Sequence, residues 1–181
     1  MSRGSELEAL VRHTVKLFKD QGLWLLQTSP RFIQHGRTGP NGSLAEGRVM
    51  GRGGLDFIGD WRGTALTFDC KSTKIDTRFP LDMVEPHQAV LVKKAHERGC
   101  LAFLLIEVSA QSNWARYFAV DWPVLGPAWK GYRANEGLTE RRYPASLALE
   151  VLERDCVEVK RIKQHLRLIE AIEALRERAT A

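Results

Sequence analysis

No stretch of the 181-residue chain approaches the ~20 consecutive apolar residues that a membrane-spanning helix needs. The opening residues, MSRGSELEAL, place charges where a secretory signal requires an apolar segment, so a cytoplasmic protein with no membrane association is expected. Cysteine is scarce: Cys70, Cys100 and Cys156 lie far apart, with no CxxC pair to build a zinc site or a disulfide framework. The glycines of Gly36-Arg-Thr-Gly-Pro-Asn-Gly never reach the GK[ST] of a nucleotide phosphate loop, so no nucleotide cofactor is expected. HExxH and GxSxG are missing as well, which removes the zinc-protease and serine-hydrolase signatures. Internal repeats and low-complexity segments are also lacking. What remains is 44% hydrophobic and 27% charged residues, the composition of a globular chain with a sizeable core. The net charge of +5 favours a polyanionic partner only where positive residues gather on one surface.

Hydrophobic spacing predicts a first helix from Ser5 to Gln21, ended by Gly22, and strands over Leu23 to Gln27 and Arg31 to Gln34. His35 to Gly54 is rich in glycine, carries Arg37, Arg48 and Arg52, and has almost no apolar periodicity. It reads as a long loop or projecting arm, and structureless connections of that length are usually either functional or disordered. Leu55 to Trp61 and Ala65 to Lys71 alternate as two strands joined at Arg62-Gly63. A helix is expected over Glu85 to Arg98, with Pro86 in its first turn and Gly99 at its end. Leu101 to Val108 is apolar throughout, as a central strand covered on both faces would be, with Asn113 to Val120 as its neighbour. Asp121 to Trp129 reads as a short helix, Gly131 to Ala145 as a loop, and Cys156 to Arg178 as a long mixed-charge helix with Ile162, Leu166, Ile169, Ile172 and Leu175 on one stripe.

The candidate chemistry sits on the predicted hairpin. Asp69 and Lys71 are two residues apart in a strand, so both project from one face while Phe68 and Cys70 project from the other. Asp56, near the start of the partner strand, can be brought against Asp69. Two close carboxylates repel unless a cation lies between them. Hard divalent ions such as Mg²⁺ are held by one or two carboxylates together with substrate phosphate. A neighbouring lysine, Lys71, can activate water and offset charge building on a phosphorus centre. An exposed, salt-bridged strand edge would show the same Asp-x-Lys spacing, so that spacing alone does not establish a site.

Further residues narrow the reading. Arg3-Gly4 with Leu7-Glu8, Asp56-Phe57 with Gly59, Phe68-Asp69-Cys70-Lys71-Ser72-Thr73, Phe79-Pro80-Leu81 and His87-Gln88 together resemble the PD-(D/E)xK nuclease core of RecU-type Holliday junction resolvases. The resemblance covers roughly Met1 to Glu150 and fades after Val120. It implies an α/β fold, a mixed central sheet flanked by helices on a restriction-endonuclease-like core, with the arm in the place of the family's stalk. It further implies a homodimer that makes paired nicks in a four-way DNA junction with Mg²⁺, Mn²⁺ being able to substitute. Carried over by position, Glu8, Asp56, Asp69, Lys71 and Gln88 are the expected catalytic residues. Asp56, Asp69 and the Cys70 backbone carbonyl are the expected metal ligands. Asp69 stands where these proteins commonly have glutamate. The closing helix has no counterpart in the family pattern and points to a subgroup such as phage-encoded resolvases. The expected division is therefore a nuclease domain over 1–155, arm 35–54 included, and a C-terminal helical extension over 156–181.

DNA contacts are expected from Arg3, Ser72 and Thr73, and from Arg37, Arg48 and Arg52, whose guanidinium groups can each hold a phosphate bidentately from a glycine-rich backbone. Two alternatives stay open at this level: another nuclease on the same core, acting in restriction or repair, and a DNA-binding protein without catalysis.

Overall fold

The computed structural model of the chain describes residues 4–28, 32–34, 47–49, 54–109, 115–140 and 142–180. Helix α1 (Gly4–Phe18) buries Leu7 and Val11 and ends through a 3₁₀ turn at Gly22, whose φ of 87° suits glycine. Strand β1 (Leu23–Gln27) leads toward a short antiparallel ribbon of β2 (Phe32–Gln34) and β3 (Gly47–Val49). The expected arm thus contains a strand where periodicity gave none. Three residues are too few for alternation to show, and β3 forms through its partner.

Strands β4 (Phe57–Trp61) and β5 (Thr64–Thr73) form the expected hairpin. Its two-residue turn has Arg62 and Gly63 at φ 47° and 81°, the left-handed pair that matches the twist of flanking strands. Gly59 is required by close approach to β1, since a Cβ there would lie 2.0 Å from the Trp24 carbonyl oxygen. Strand β6 (Arg78–Pro80) precedes helix α2 (Pro86–Glu97), which crosses over to β7 (Leu101–Ser109), parallel to β5. Strand β8 (Ala115–Asp121) returns antiparallel and passes directly into α3 (Trp122–Ala134). That helix runs further than expected, into the stretch read as loop, because Tyr132 continues the apolar stripe of Leu125 and Trp129 against the core. Strand β9 (Ser146–Ala148), which pairs with β6, and helix α4 (Leu149–Asp155) were not anticipated.

The largest departure is the C-terminal segment. In place of one helix over Cys156 to Arg178, the chain forms β10 (Val157–Glu158), a small hairpin of β11 (Arg161–Ile162) and β12 (His165–Leu166), and only then α5 (Leu168–Thr180). Lys163 takes φ 52° in the hairpin turn, a conformation no helix contains. A spacing of four between Ile162 and Leu166 fits one helical turn, and it fits this hairpin equally well.

The result is a six-stranded mixed sheet in the order β1-β4-β5-β7-β8-β10, parallel only between β5 and β7. One face packs on α1 and α5 through Leu7, Val11, Phe68, Phe103, Leu168, Ile172 and Leu175. The other packs on α2, α3 and α4 through Val92, Leu104, Ile106, Phe118, Leu125 and Leu152. The C-terminal segment therefore supplies a strand of the sheet and part of a core layer. Among the described residues no helix is long and apolar enough to cross a membrane.

Candidate active site

Alternation along β5 divides its residues as expected. Leu66, Phe68 and Cys70 enter the layer under α1 and α5, with the Phe68 ring stacked between Phe57 and Phe103 at centroid distances of 5.1 and 4.8 Å. Asp69 and Lys71 face the other way, toward α2. This puts a carboxylate under a helix, and Asp69 is fully buried at 0% exposure. Gln88 Nε2 donates to Asp69 Oδ1 at 2.9 Å, and Lys71 Nζ lies 2.8 Å from Oδ2. The Lys71 ammonium thus faces Oδ2 and the Gln88 amide Oδ1, so each oxygen of the buried carboxylate has one partner. Burial pushes the Asp69 carboxyl up from 3.8 to about 6, Lys71 pulls against that rise, and the Asp56 carboxylate adds to it.

Asp56 stands one residue before β4, where the hairpin pairing ends. The Cys70 amide donates to its Oδ2 at 2.8 Å, which ties the two strands across the site. Amide and carbonyl of one strand residue face the same neighbour, so the Cys70 carbonyl is directed to this edge too. The Cys70 thiol is pushed well above its ordinary value by burial and by the surrounding carboxylates, and it is no nucleophile. Gln88 is placed by the start of α2, where its Oε1 accepts from the Glu85 amide at 3.1 Å and leaves Nε2 aimed at Asp69.

Glu8 reaches the same region from α1. Its pKa is raised, first by burial and then by the Asp56 carboxylate, while Arg12, Gln27 and Lys71 act to lower it. Glu8, Asp56, Asp69, Lys71 and Gln88 are thus brought together. The remaining candidates differ. Ser72 donates its hydroxyl to Glu107 of β7 at 2.9 Å. Thr73 is buried, its hydroxyl accepting from the Ile75 amide at 3.1 Å. Arg48 lies in β3, opposite Ile33. Arg3, Arg37 and Arg52 lie outside the described residues. Sequence reasoning missed Gln27, whose Nε2 donates to Glu8 Oε2, and Thr28, whose amide donates to the Asp56 carbonyl at 2.8 Å. Neither has a spacing signal, because both contacts arise where β1 meets α1 and β4.

Fold and site together define a mixed α/β protein whose sheet carries an Asp…Asp-x-Lys cluster at the end of an antiparallel hairpin. The chain belongs to the RecU family: the model described as Recombination protein U matches residues 2–174. That match includes most of the C-terminal segment expected to fall outside the family pattern. Similar proteins include the Holliday junction resolvase RecU of Staphylococcus carnosus (strain TM300), 41% identical over 51 residues, or 28% of this chain and 24% of the relative. The Holliday junction resolvase RecU of Staphylococcus aureus (strain JH9) is 24% identical over 137 residues, 74% of this chain and 64% of the relative. The chain thus matches less than two thirds of the length of either. Among solved structures, Archaeoglobus fulgidus Hjc, a Holliday junction resolvase from an archaeal hyperthermophile, aligns over 78% of this chain and 88% of that one, with 12% identity and a TM-score of 0.36.

Proposed function

We propose that the protein is a metal-dependent, structure-specific endodeoxyribonuclease that resolves four-way DNA junctions by paired phosphodiester hydrolysis. The observation that carries this reading is Asp69, a fully buried carboxylate paired with a lysine, with a second carboxylate nearby that adds to the rise in its pKa. Lys71 offsets one negative charge, and a bound cation removes the repulsion that remains between the two carboxylates. Among the described residues no three His, Cys, Asp or Glu side chains gather to hold a metal by themselves. The fit is instead to an ion such as Mg²⁺, or Mn²⁺ in its place, which takes few carboxylates and completes its shell with water and substrate phosphate. Asp56, Asp69 and the Cys70 carbonyl would hold it. When bound, such an ion supplies positive charge against phosphate oxygens and makes a nearby water more acidic.

The chain's own groups have distinct tasks. Lys71 offsets the negative charge that builds on the phosphate during in-line attack. Gln88 holds Asp69 in its rotamer, and Glu8, on the more open side, orients the attacking water. Arg3, the arm residues Arg37, Arg48 and Arg52, and the Ser72 and Thr73 segment bind the DNA backbone and position the branch. One chain supplies one such cluster, whereas resolution needs two symmetric cuts, so the active species is a twofold homodimer.

The test is incubation with a labelled four-way junction, a flap and a linear duplex of matched sequence, with Mg²⁺ and with chelator. Paired cuts in opposed strands of the junction, seen only with metal, are expected. Comparable cutting of linear duplex reassigns the protein to general nuclease activity, and metal-independent or absent cutting overturns the reading.

A further inference from the structure

The polar end of β1 contacts the site from the side of α1. Gln27 is the last residue of that strand and pairs with Phe57 of β4, next to Asp56. Its side chain shares a face with Leu23 and Leu25, the face that α1 covers. Nε2 donates to Glu8 Oε2, and Oε1 accepts from Arg12 Nη1 at 2.7 Å. Glu8 and Arg12 are one helical turn apart, and their own closest approach is 3.9 Å. A primary amide offers an acceptor to the guanidinium and a donor to the carboxylate at once. It therefore stands between two groups that would otherwise close into a bidentate pair. The following residue, Thr28, donates its amide to the Asp56 carbonyl and its hydroxyl to the Leu55 carbonyl. Two successive residues at one strand end thus hold the segments that bear Glu8 and Asp56.

We infer that Gln27 is a positioning residue for Glu8: its amide, braced by Arg12, fixes the Glu8 carboxylate on the site and keeps it from collapsing onto Arg12. This rests on the nuclease reading of the site. Gln27 acts through Glu8 and touches no reacting atom. Docking of α1 does not depend on it, because Leu7 and Val11 are buried and the Thr14 hydroxyl accepts from the Leu166 amide at 3.0 Å. Loss of the amide is therefore expected to disturb the carboxylate more than the fold.

Gln27→Ala, Glu8→Ala and the double variant of the full chain are compared by single-turnover junction cleavage with Mg²⁺. Junction affinity and melting temperature are measured in chelator, and the metal-free proteins are followed by the side-chain amide resonances of Gln27. Gln27→Ala is expected to slow cleavage roughly ten- to a hundredfold, the scale of one hydrogen bond to a charged group. Junction affinity stays unchanged, and the substitution has no further effect once Glu8 is alanine. The Gln27 amide resonances of the metal-free protein shift in Glu8→Ala. Gln27→Glu keeps the Arg12 contact but turns the donor into a second carboxylate, and it gives the same loss of rate in a folded protein. Equal losses from Gln27→Ala with and without Glu8, tracking a fall in melting temperature, would make it a structural brace and overturn the inference. Full-rate cleavage by Gln27→Ala or by Glu8→Ala overturns it too, leaving the Asp69 reading intact. If the unaltered protein cuts no junction, the nuclease reading fails, and unshifted amide resonances then separately refute the Gln27 contact.

Discussion

Asp69 and Glu8 present the same functional group to the site from opposite sides, and the fold holds them by different means. Asp69 is anchored in a sheet strand, covered by α2, gripped by Gln88 and faced by Lys71. Glu8 sits on a helix with about a quarter of its side chain exposed, held through the amide of Gln27 and a guanidinium 3.9 Å away. Burial gives Asp69 a fixed position at an electrostatic cost, which appears as a carboxyl pushed up to about 6. Partial exposure leaves Glu8 less strained and more dependent on a single neighbour. The difference suits the two tasks proposed for them: a ligand must not move, whereas a group that handles water must stay accessible to it.

The comparison can be broken first at its buried side. In metal-free protein the folded state binds a proton on Asp69 more tightly than the unfolded chain does. That contribution to stability is full below pH 3.8 and is lost as pH rises through about 6. Asp69→Asn removes the charge that must be buried, so in chelator it is expected to be more stable than the unaltered protein above pH 6, by up to about 3 kcal/mol. The advantage vanishes toward pH 4. Urea denaturation at pH 5 and pH 8 checks the sign, and an equal or smaller stability of the variant at pH 8 would show that burial imposes no such cost.

The exposed side is expected to respond far less. Arg12 is 45% exposed and lies 3.9 Å from Glu8. Arg12→Ala should change stability by no more than about 0.5 kcal/mol. Cleavage should slow only a few-fold, because the Gln27 donor to Glu8 survives without its brace. Thermal melting and single-turnover rates measure both, and a stability loss on the scale of the Asp69 effect would erase the contrast between the two sides.

Much of the buried side was legible in the sequence because its geometry is local. Alternation along Thr64 to Thr73 puts Asp69 and Lys71 on one face, and Arg62-Gly63 sets the register that brings Asp56 to Cys70. Pro86 and Gly99 bracket α2 and so place Gln88. The remainder depends on partners remote in sequence. Val157 and Glu158 are strand because β8, some forty residues earlier, offers an edge to pair with, and no local pattern reports that edge. Ser72 meets Glu107 only through the parallel register of β5 and β7. Gln27 is an unremarkable strand-ending amide until α1 is laid across β1.

The account stands most directly on Mg²⁺-dependent cleavage of one labelled four-way junction by the unaltered protein, Asp69→Asn, Asp56→Asn and Lys71→Ala, with junction binding measured in parallel in chelator. On the proposed reading phosphate contacts elsewhere supply most of the affinity, so the variants are predicted to bind the junction as the unaltered protein does. Their cleavage is predicted to fall by at least ~10²- to 10³-fold. Full-rate cutting by any of the three would remove that residue from the site and contradict the assignment.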